Sequence, residues 1–255
     1  MENLAEFKKF AHYLAIKSSE VIKPYFRSGI TEYNKEDSSP VTIADRKAEE
    51  VMRGLILKEF PAHGIIGEEF GNYNESADYK WILDPVDGTK SLICGALTFG
   101  TLICLMKNEE PILGVINHPI LNEFLIGDNI SVTVNDKQVK MRDCDSLSEA
   151  VLLTTDHLNI GKYKDKKSFE KLLEKVKLYR NWGDCYGYYL LATGFADIMI
   201  DPIMSPWDKL PLIPIIRGAG GIITDYNGND PVKGDSIIAA SKGVHSQVIN
   251  ILIES

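Results

Sequence analysis

Leu4, Phe7, Ala11, Leu14, Ala15, Ser18, Val21, Ile22 and Tyr25 recur at three- and four-residue spacing, with Glu6, Lys8, Lys9, Lys17, Glu20 and Lys23 set among them. That period predicts an amphipathic helix with one face on a core. The polar run Asn34-Lys35-Glu36-Asp37-Ser38-Ser39-Pro40 reads as a loop. Thr42 and Asp45 then stand in the T-x-x-D relation of a capping box. Ala48, Val51, Met52, Leu55 and Ile56 carry one face of a second helix to about Phe60, where Pro61 ends it.

Beyond Pro61 the apolar runs shorten and are cut by Gly, Pro and Asp. Ile65-Ile66, Trp81 to Leu83, Phe99 to Met106, Ile112 to Ile116, Phe124 to Ile126 and Val132 to Val134 read as strands, the last turning through Asn135-Asp136. Their closeness predicts largely antiparallel pairing. After Ser146 the pattern alternates again. Strands are expected at Val151 to Thr154, Lys177 to Arg180, Asp197 to Ile200, Gly221 to Thr224 and Ser236 to Ala240. Helices are expected at Lys167 to Val176, Tyr186 to Gly194, Trp207 to Arg217 and Val244 to Ile253; of Pro211 and Pro214 in the third, one fits a first turn and the second should kink or delay the helix. The order predicts a layered α+β/α/β architecture without internal repeats.

Composition narrows the function. With 255 residues, 44% of them hydrophobic and 25% charged, the chain is globular rather than disordered. Its 28 basic and 36 acidic residues leave a net charge of −8, which argues against a nucleic-acid partner. Cys94, Cys104, Cys144 and Cys185 form no C-x-x-C pair, so buried free thiols are expected rather than a zinc or redox site. Residues 1–26 lack the apolar core of a signal peptide, and no stretch is apolar enough to span a bilayer. A cytoplasmic location is the expectation.

Three acidic segments carry candidate chemistry, and each alone has an ordinary explanation. In Gly67-Glu68-Glu69 the charges follow a strand and suit a solvated end. In Trp81-Ile82-Leu83-Asp84-Pro85-Val86-Asp87-Gly88-Thr89 a strand meets turn residues, yet a turn does not require Asp84 as well. Two carboxylates around a rigid proline can aim at one point with the Val86 carbonyl between them. Thr89 can begin a helix whose free N–H groups suit a phosphate. In Ser205-Pro206-Trp207-Asp208, an acidic first helical turn suffices. Together, Glu68, Asp84, Asp87 and Asp208 offer only hard oxygens, which select Mg²⁺ or Mn²⁺ over zinc. Converging carboxylates repel unless divalent cations neutralise them.

These three segments, with Gly218-Ala219-Gly220-Gly221, resemble the signature motifs of the inositol monophosphatase superfamily of Mg²⁺-dependent phosphomonoesterases. The likeness spans nearly the whole chain. Ser39 to Arg46, Leu83 to Ser91 and Gly183-Asp184-Cys185-Tyr186 are most similar to its histidinol-phosphate phosphatase branch; inositol monophosphatases proper usually have Thr-Asn-Phe where this chain has Lys90-Ser91-Leu92.

The resemblance implies an αβαβα sandwich of the sugar-phosphatase type, with subdomains at 1–145 and 146–255 forming one catalytic unit. It implies two or three Mg²⁺, replaceable by Mn²⁺, held by Glu68, Asp84, Asp87, Asp208 and the Val86 carbonyl, with Lys35 near an additional ion. Asp45 would orient Thr89, and Thr89 with Glu68 would position an attacking water, with no covalent intermediate. Asp87 and the amides of Gly88 and Thr89 would meet the phosphate. Asp184 and Asp201 would meet the alcohol of a small phosphomonoester, although Asp184 also suits a helix N-cap and Asp201 replaces a longer Glu. Arg217 stands where an acidic residue is usual. His63, His118 and His157 read as structural or surface residues. The resemblance further implies a homodimer. Inositol-1-monophosphatase is the alternative activity, with fructose bisphosphatase, adenosine bisphosphate phosphatase, a catalytically silent relative or an interaction protein behind it.

Overall fold

The computed structural model describes residues 4–29, 32–34 and 40–253, with 32–34, 40 and 41 described by their backbone. The first half runs Leu4–Ile22 (α1), Glu32–Asn34 (β1), Pro40–Thr42 (β2), Ile43–Glu59 (α2), Gly64–Gly67 (β3), Gly71–Tyr73 (β4), Tyr79–Asp87 (β5), Thr89–Ile93 (α3), Gly100–Lys107 (β6), Glu110–His118 (β7), Glu123–Gly127 (β8), Val132–Val134 (β9) and Lys137–Val139 (β10). The second half runs Val151–Leu153 (β11), His157–Tyr163 (α4), Lys166–Leu173 (α5), Leu178–Arg180 (β12), Asp184–Ala192 (α6), Ile198–Asp201 (β13), Pro206–Lys209 (α7), Leu212–Gly218 (α8), Ile222–Thr224 (β14), Ile237–Ala240 (β15) and Lys242–Ile253 (α9).

An eight-stranded sheet, ordered β10-β9-β8-β7-β6-β5-β3-β4, is antiparallel except where β3 pairs with β5. Strand alternation sends successive residues to opposite faces. Trp81 and Leu83 therefore pack with Phe7, Leu14, Met52 and Ile56 of α1 and α2, whereas Ile82 packs on the other side with α6 and α8. That inner cluster also takes Leu153, Met199, Ile237 and Ala239 from a five-stranded sheet, β12-β11-β13-β15-β14. The outer face of this second sheet, through Leu152, Ile198, Ile200 and Ile238, is covered by Ile160, Phe169, Leu172, Val244 and Val248 of α4, α5 and α9. Helix, sheet, helix, sheet, helix is the expected αβαβα sandwich.

Several local expectations needed correction. Of the loop read at 34–40, residues 35–39 lie outside the described residues, and its two ends belong to strands, Asn34 of β1 standing opposite Pro40 of β2. α1 gives way at Ile22 to a 3₁₀ turn over Lys23–Tyr25, because Pro24 has no N–H for the α ladder. α4 and the short β4 and β10 were not foreseen. The helix expected at 207–217 divides into α7 and α8 at Pro211, while Pro214 lies in the first turn of α8, where an N–H has no intrahelical acceptor. Cys104, Cys144 and Cys185 are buried free thiols, but Cys94, at the exposed end of α3, is not buried. Among the described residues no helix is long and apolar enough to cross a membrane.

α8 is seated in a notch made by Gly114 of β7 and Gly127 of β8, which face each other across the two strands. A Cβ on Gly127 would lie 2.6 Å from Ile215 Cα, and one on Gly114 would run into the Pro211 carbonyl. Gly127→Ala should therefore displace α8 and lower unfolding free energy by about 2 kcal/mol, the overpacking cost less the gain from a stiffer unfolded chain. Urea denaturation checks this, and a variant as stable as the parent would remove the notch from the account of how α8 docks.

Candidate active site

The capping box foreseen at Thr42 is formed and does two things at once. Ala44 N–H donates to Thr42 Oγ1 at 3.1 Å, while Thr42 N–H and its hydroxyl both donate to Asp45 Oδ2, the former at 3.0 Å. The other oxygen, Asp45 Oδ1, accepts from the Thr89 hydroxyl at 3.1 Å. Burial pushes the Asp45 pKa up, and its hydrogen bonds oppose that. One buried carboxylate thus starts α2 and fixes a side chain on α3.

β5 delivers Asp84 and Asp87. Its pairing with β6 sets Asp84 opposite Leu102 but Asp87 opposite Gly100, so one extra residue bulges out at Pro85-Val86. Pro85 tolerates the bulge because it lacks an N–H to leave unpaired, and its carbonyl accepts from Thr101 Oγ1 at 2.8 Å. Val86 N–H donates to Asp84 Oδ1 at 2.9 Å, and the Val86 carbonyl lies 3.2 Å from Thr89 Oγ1. Gly88, at φ 85°, turns the chain into α3. Asp87 Oδ2 accepts from the Cys185 backbone N–H, tying β5 to the start of α6. Asp208, three residues past Ser205, accepts the Ser205 N–H at 3.1 Å in a second capping box.

Asp84, Asp87 and Asp208 converge so that one ligand oxygen of each lies within 4.8 Å of the others. Glu68 stands outside that triangle but faces it, hydrogen-bonding Asp84 and acting electrostatically on Asp208. Burial first, then the neighbouring carboxylates, holds Asp84 and Asp87 well above the usual carboxylate range and Asp208 at about 7. Lys209 offers no relief, because its ammonium donates to the carbonyls of Pro231, Val232 and Gly234. A crowded, buried, all-oxygen set of this kind fits a hard divalent cation. Lys35 lies outside the described residues.

Beside the triangle lie two adjoining cavities of 180 and 460 Å³, both lined by Thr155, Asp156, Asn159, Asp184 and Asp208. The larger also takes Glu68, Gly88, Thr89 and Lys90; the smaller takes Asp87, Tyr188 and Asp201. Asp184 does not cap α6. It is the first helical residue, at φ 51°, and its Oδ2 accepts from Ser91 Oγ at 2.7 Å. Asp201 accepts from Thr155 N–H, Thr155 Oγ1 and Tyr188 OH at 3.0, 3.1 and 2.9 Å, and burial lifts its pKa to about 6. Arg217 lines neither cavity and meets Asp230 at 4.0 Å. His63 accepts the Trp81 indole N–H, and His118 and His157 bond Phe99 O and Tyr179 OH, as structural residues do.

Asp156 and Asn159 were missed in the sequence. Asp156 caps α4 through Leu158 N–H at 2.8 Å, and that cap was the available signal.

The fold and site define a class, an αβαβα sandwich with an acidic oxygen cluster at a strand end. Residues 3–255 match the model of the inositol monophosphatase family. The chain belongs to this family, and so to the phosphoric monoester hydrolases; the family is metal-dependent, typically on Mg²⁺. It is 46% identical over 228 residues to the "Bifunctional phosphatase IMPL2, chloroplastic" of Arabidopsis thaliana, covering 88% of this chain and 66%, just under two thirds, of that one. It is 35% identical to a histidinol-phosphatase of Chlorobaculum parvum, covering 92% of each. An inositol monophosphatase from Zymomonas mobilis superposes with a TM-score of 0.88 at 34% identity, covering 99% of each chain.

Proposed function

We propose that the chain hydrolyses a small alcohol phosphate with Mg²⁺, and that histidinol phosphate is the substrate. The observation that carries the hydrolytic part is the triangle of Asp84, Asp87 and Asp208 within 4.8 Å, next to the Thr89–Asp45 hydrogen bond. Asp84, Asp87, Asp208, Glu68 and the Val86 carbonyl would hold two or three Mg²⁺. When bound, these ions stabilise developing charge on the phosphoryl and leaving oxygens and make water more acidic.

The chain's own groups do the positioning. With its hydrogen directed to Asp45, Thr89 Oγ1 presents lone pairs, so it accepts from a water and turns that water's own lone pair toward phosphorus. Glu68, which lines the same cavity, would take the water's other proton as its oxygen bonds to phosphorus and the ester P–O bond breaks, the leaving oxygen gaining a proton from solvent. Asp87 and the backbone N–H groups of Gly88 and Thr89 bound the phosphate. Attack in line requires no side-chain nucleophile, so no phospho-enzyme forms. The segments 1–145 and 146–255 act as one unit because Asp208 and Asp184 come from the second.

Substrate choice rests on the alcohol end of the cleft. Asp156, Asp184 and Asp201 line it, a wall suited to an ammonium-bearing alcohol rather than a neutral polyol. Relatives named histidinol-phosphatase agree with this. With Mg²⁺ present, kcat/KM for histidinol phosphate should exceed that for inositol 1-phosphate at least tenfold. A reversed order would make inositol monophosphatase the better reading.

A further inference from the structure

A buried carboxylate beside the described site has no part in it so far. Glu49 lies one turn after Asp45 on α2, and its side chain is fully buried. Glu49 Oε2 accepts the Glu69 N–H at 2.8 Å, and Oε1 accepts the Phe70 N–H at 3.1 Å. Arg53, one turn further, donates to Oε1 at 3.1 Å and to the Gly71 carbonyl at 2.8 Å. The carboxylate therefore fills the turn between β3 and β4, where Gly67 pairs with Gly71. Gly67 leaves room for it: a Cβ there would run into Glu49 Oε1.

That turn carries Glu68. Residues four apart lie on the same face of a helix, so α2 grips both parts of the proposed water-positioning pair, Thr89 through Asp45 and the Glu68 turn through Glu49. We propose that Glu49 is a positioning residue that fixes Glu68 relative to Thr89 by holding the Glu69 and Phe70 amides. The proposal rests on the reading of Glu68 given above and assigns no contact between Glu49 and substrate. Its chemistry demands a carboxylate. A glutamine keeps one acceptor oxygen but turns an NH₂ toward a backbone N–H, so one amide loses its partner.

Two variants reach the contact from opposite sides. Glu49→Gln removes one acceptor, and Gly67→Ala keeps the charge but pushes the carboxylate off the turn. Hydrogen exchange should quicken at one of the Glu69 and Phe70 amides in Glu49→Gln and at both in Gly67→Ala, measured without metal and independently of turnover. In each, the Mg²⁺ dissociation constant by calorimetry should rise and kcat should fall, both by about 10- to 100-fold, with KM for the phosphate ester changed less than threefold. The double variant should lose no more than the worse single one, because both break one contact. Wild type that takes up no Mg²⁺ would overturn the reading of the site, and this proposal with it. Wild type that binds while both variants bind and turn over equally well, or exchange unaltered in both, would overturn the positioning role alone.

Discussion

Replacing Asp87 by asparagine should reduce turnover at saturating Mg²⁺ by about a thousandfold or more, roughly 4 kcal/mol of lost transition-state stabilisation, while the protein stays folded. Asp87 has two duties that this change separates. One oxygen accepts the Cys185 N–H, which an asparagine oxygen accepts as well, so β5 remains tied to α6. The charge is what disappears, from a triangle whose members lie within 4.8 Å. Its loss weakens cation binding but also relieves repulsion among Asp84, Asp184 and Asp208. The metal-stripped variant should therefore melt at or above the parent's temperature. Steady-state kinetics and a thermal scan in EDTA check both halves. Near-normal turnover would refute the ligand role, and an unfolded variant would show that the charge is structural.

Much of this was readable before any coordinates, and the reasons are local. Residues that recur at 3.6 positions announce a helix, which is why α1 and α2 are legible with most of their buried positions, the exposed Val51 excepted, and Trp81 to Leu83 reads as a strand without its two faces being assigned. The capping box at Thr42 was equally local. The failures share a cause. β4 is exposed and β10 mostly so, neither having an apolar alternation to detect. α4 has one buried residue, Ile160, and Gly161 interrupts its pattern. A kink was expected at the second proline, but the helix divides at the first, Pro211, and Pro214 is the one that sits in a first turn. At the site, Asp84 and Asp87 drew notice because they follow a buried strand. Glu49 did not, because a glutamate on a helix surface is ordinary, and its partners lie 20 and 21 residues away. Asp184 and Asp201 were placed near the alcohol by likeness alone; the tie of Asp184 to Ser91 exists only once the two sheets are stacked, and that of Asp201 to Thr155 only once β11 and β13 are paired.

In EDTA, the stability of the fold should fall as pH rises from about 6.5 to 8, above the range in which the buried His118 and His245, with pKa values lowered by burial, act in the opposite sense, and Mg²⁺ should restore more of it at pH 8 than at pH 5. Asp208 is lifted from an ordinary 3.8 to about 7, chiefly by burial and then by Glu68. Asp84 is lifted too, by burial and then by Glu68, Asp87 and Asp208, and Asp87 by burial and then by Asp184 and Asp208, while burial takes Asp201 to about 6. A carboxyl group with a raised folded pKa keeps its proton in the native state after the unfolded chain has released it. The native state then binds more protons, so the slope of unfolding free energy against pH is negative. The contribution is fully present below the unfolded value near 4 and is lost as pH climbs through the folded values, about 6 for Asp201 and about 7 for Asp208. A three-unit shift corresponds to about 4 kcal/mol for one group. The cluster titrates as a set, so its total is smaller than a sum over members. Divalent cations replace the protons, and their uptake should release protons most strongly between pH 5 and 7. Urea unfolding with EDTA or Mg²⁺ at pH 5, 6.5 and 8 measures the first effect. Calorimetry in buffers of different ionisation enthalpy counts the released protons. A metal-stripped protein whose stability is level or rising between pH 6.5 and 8 would show that Asp84, Asp87 and Asp208 do not share the buried charge described above.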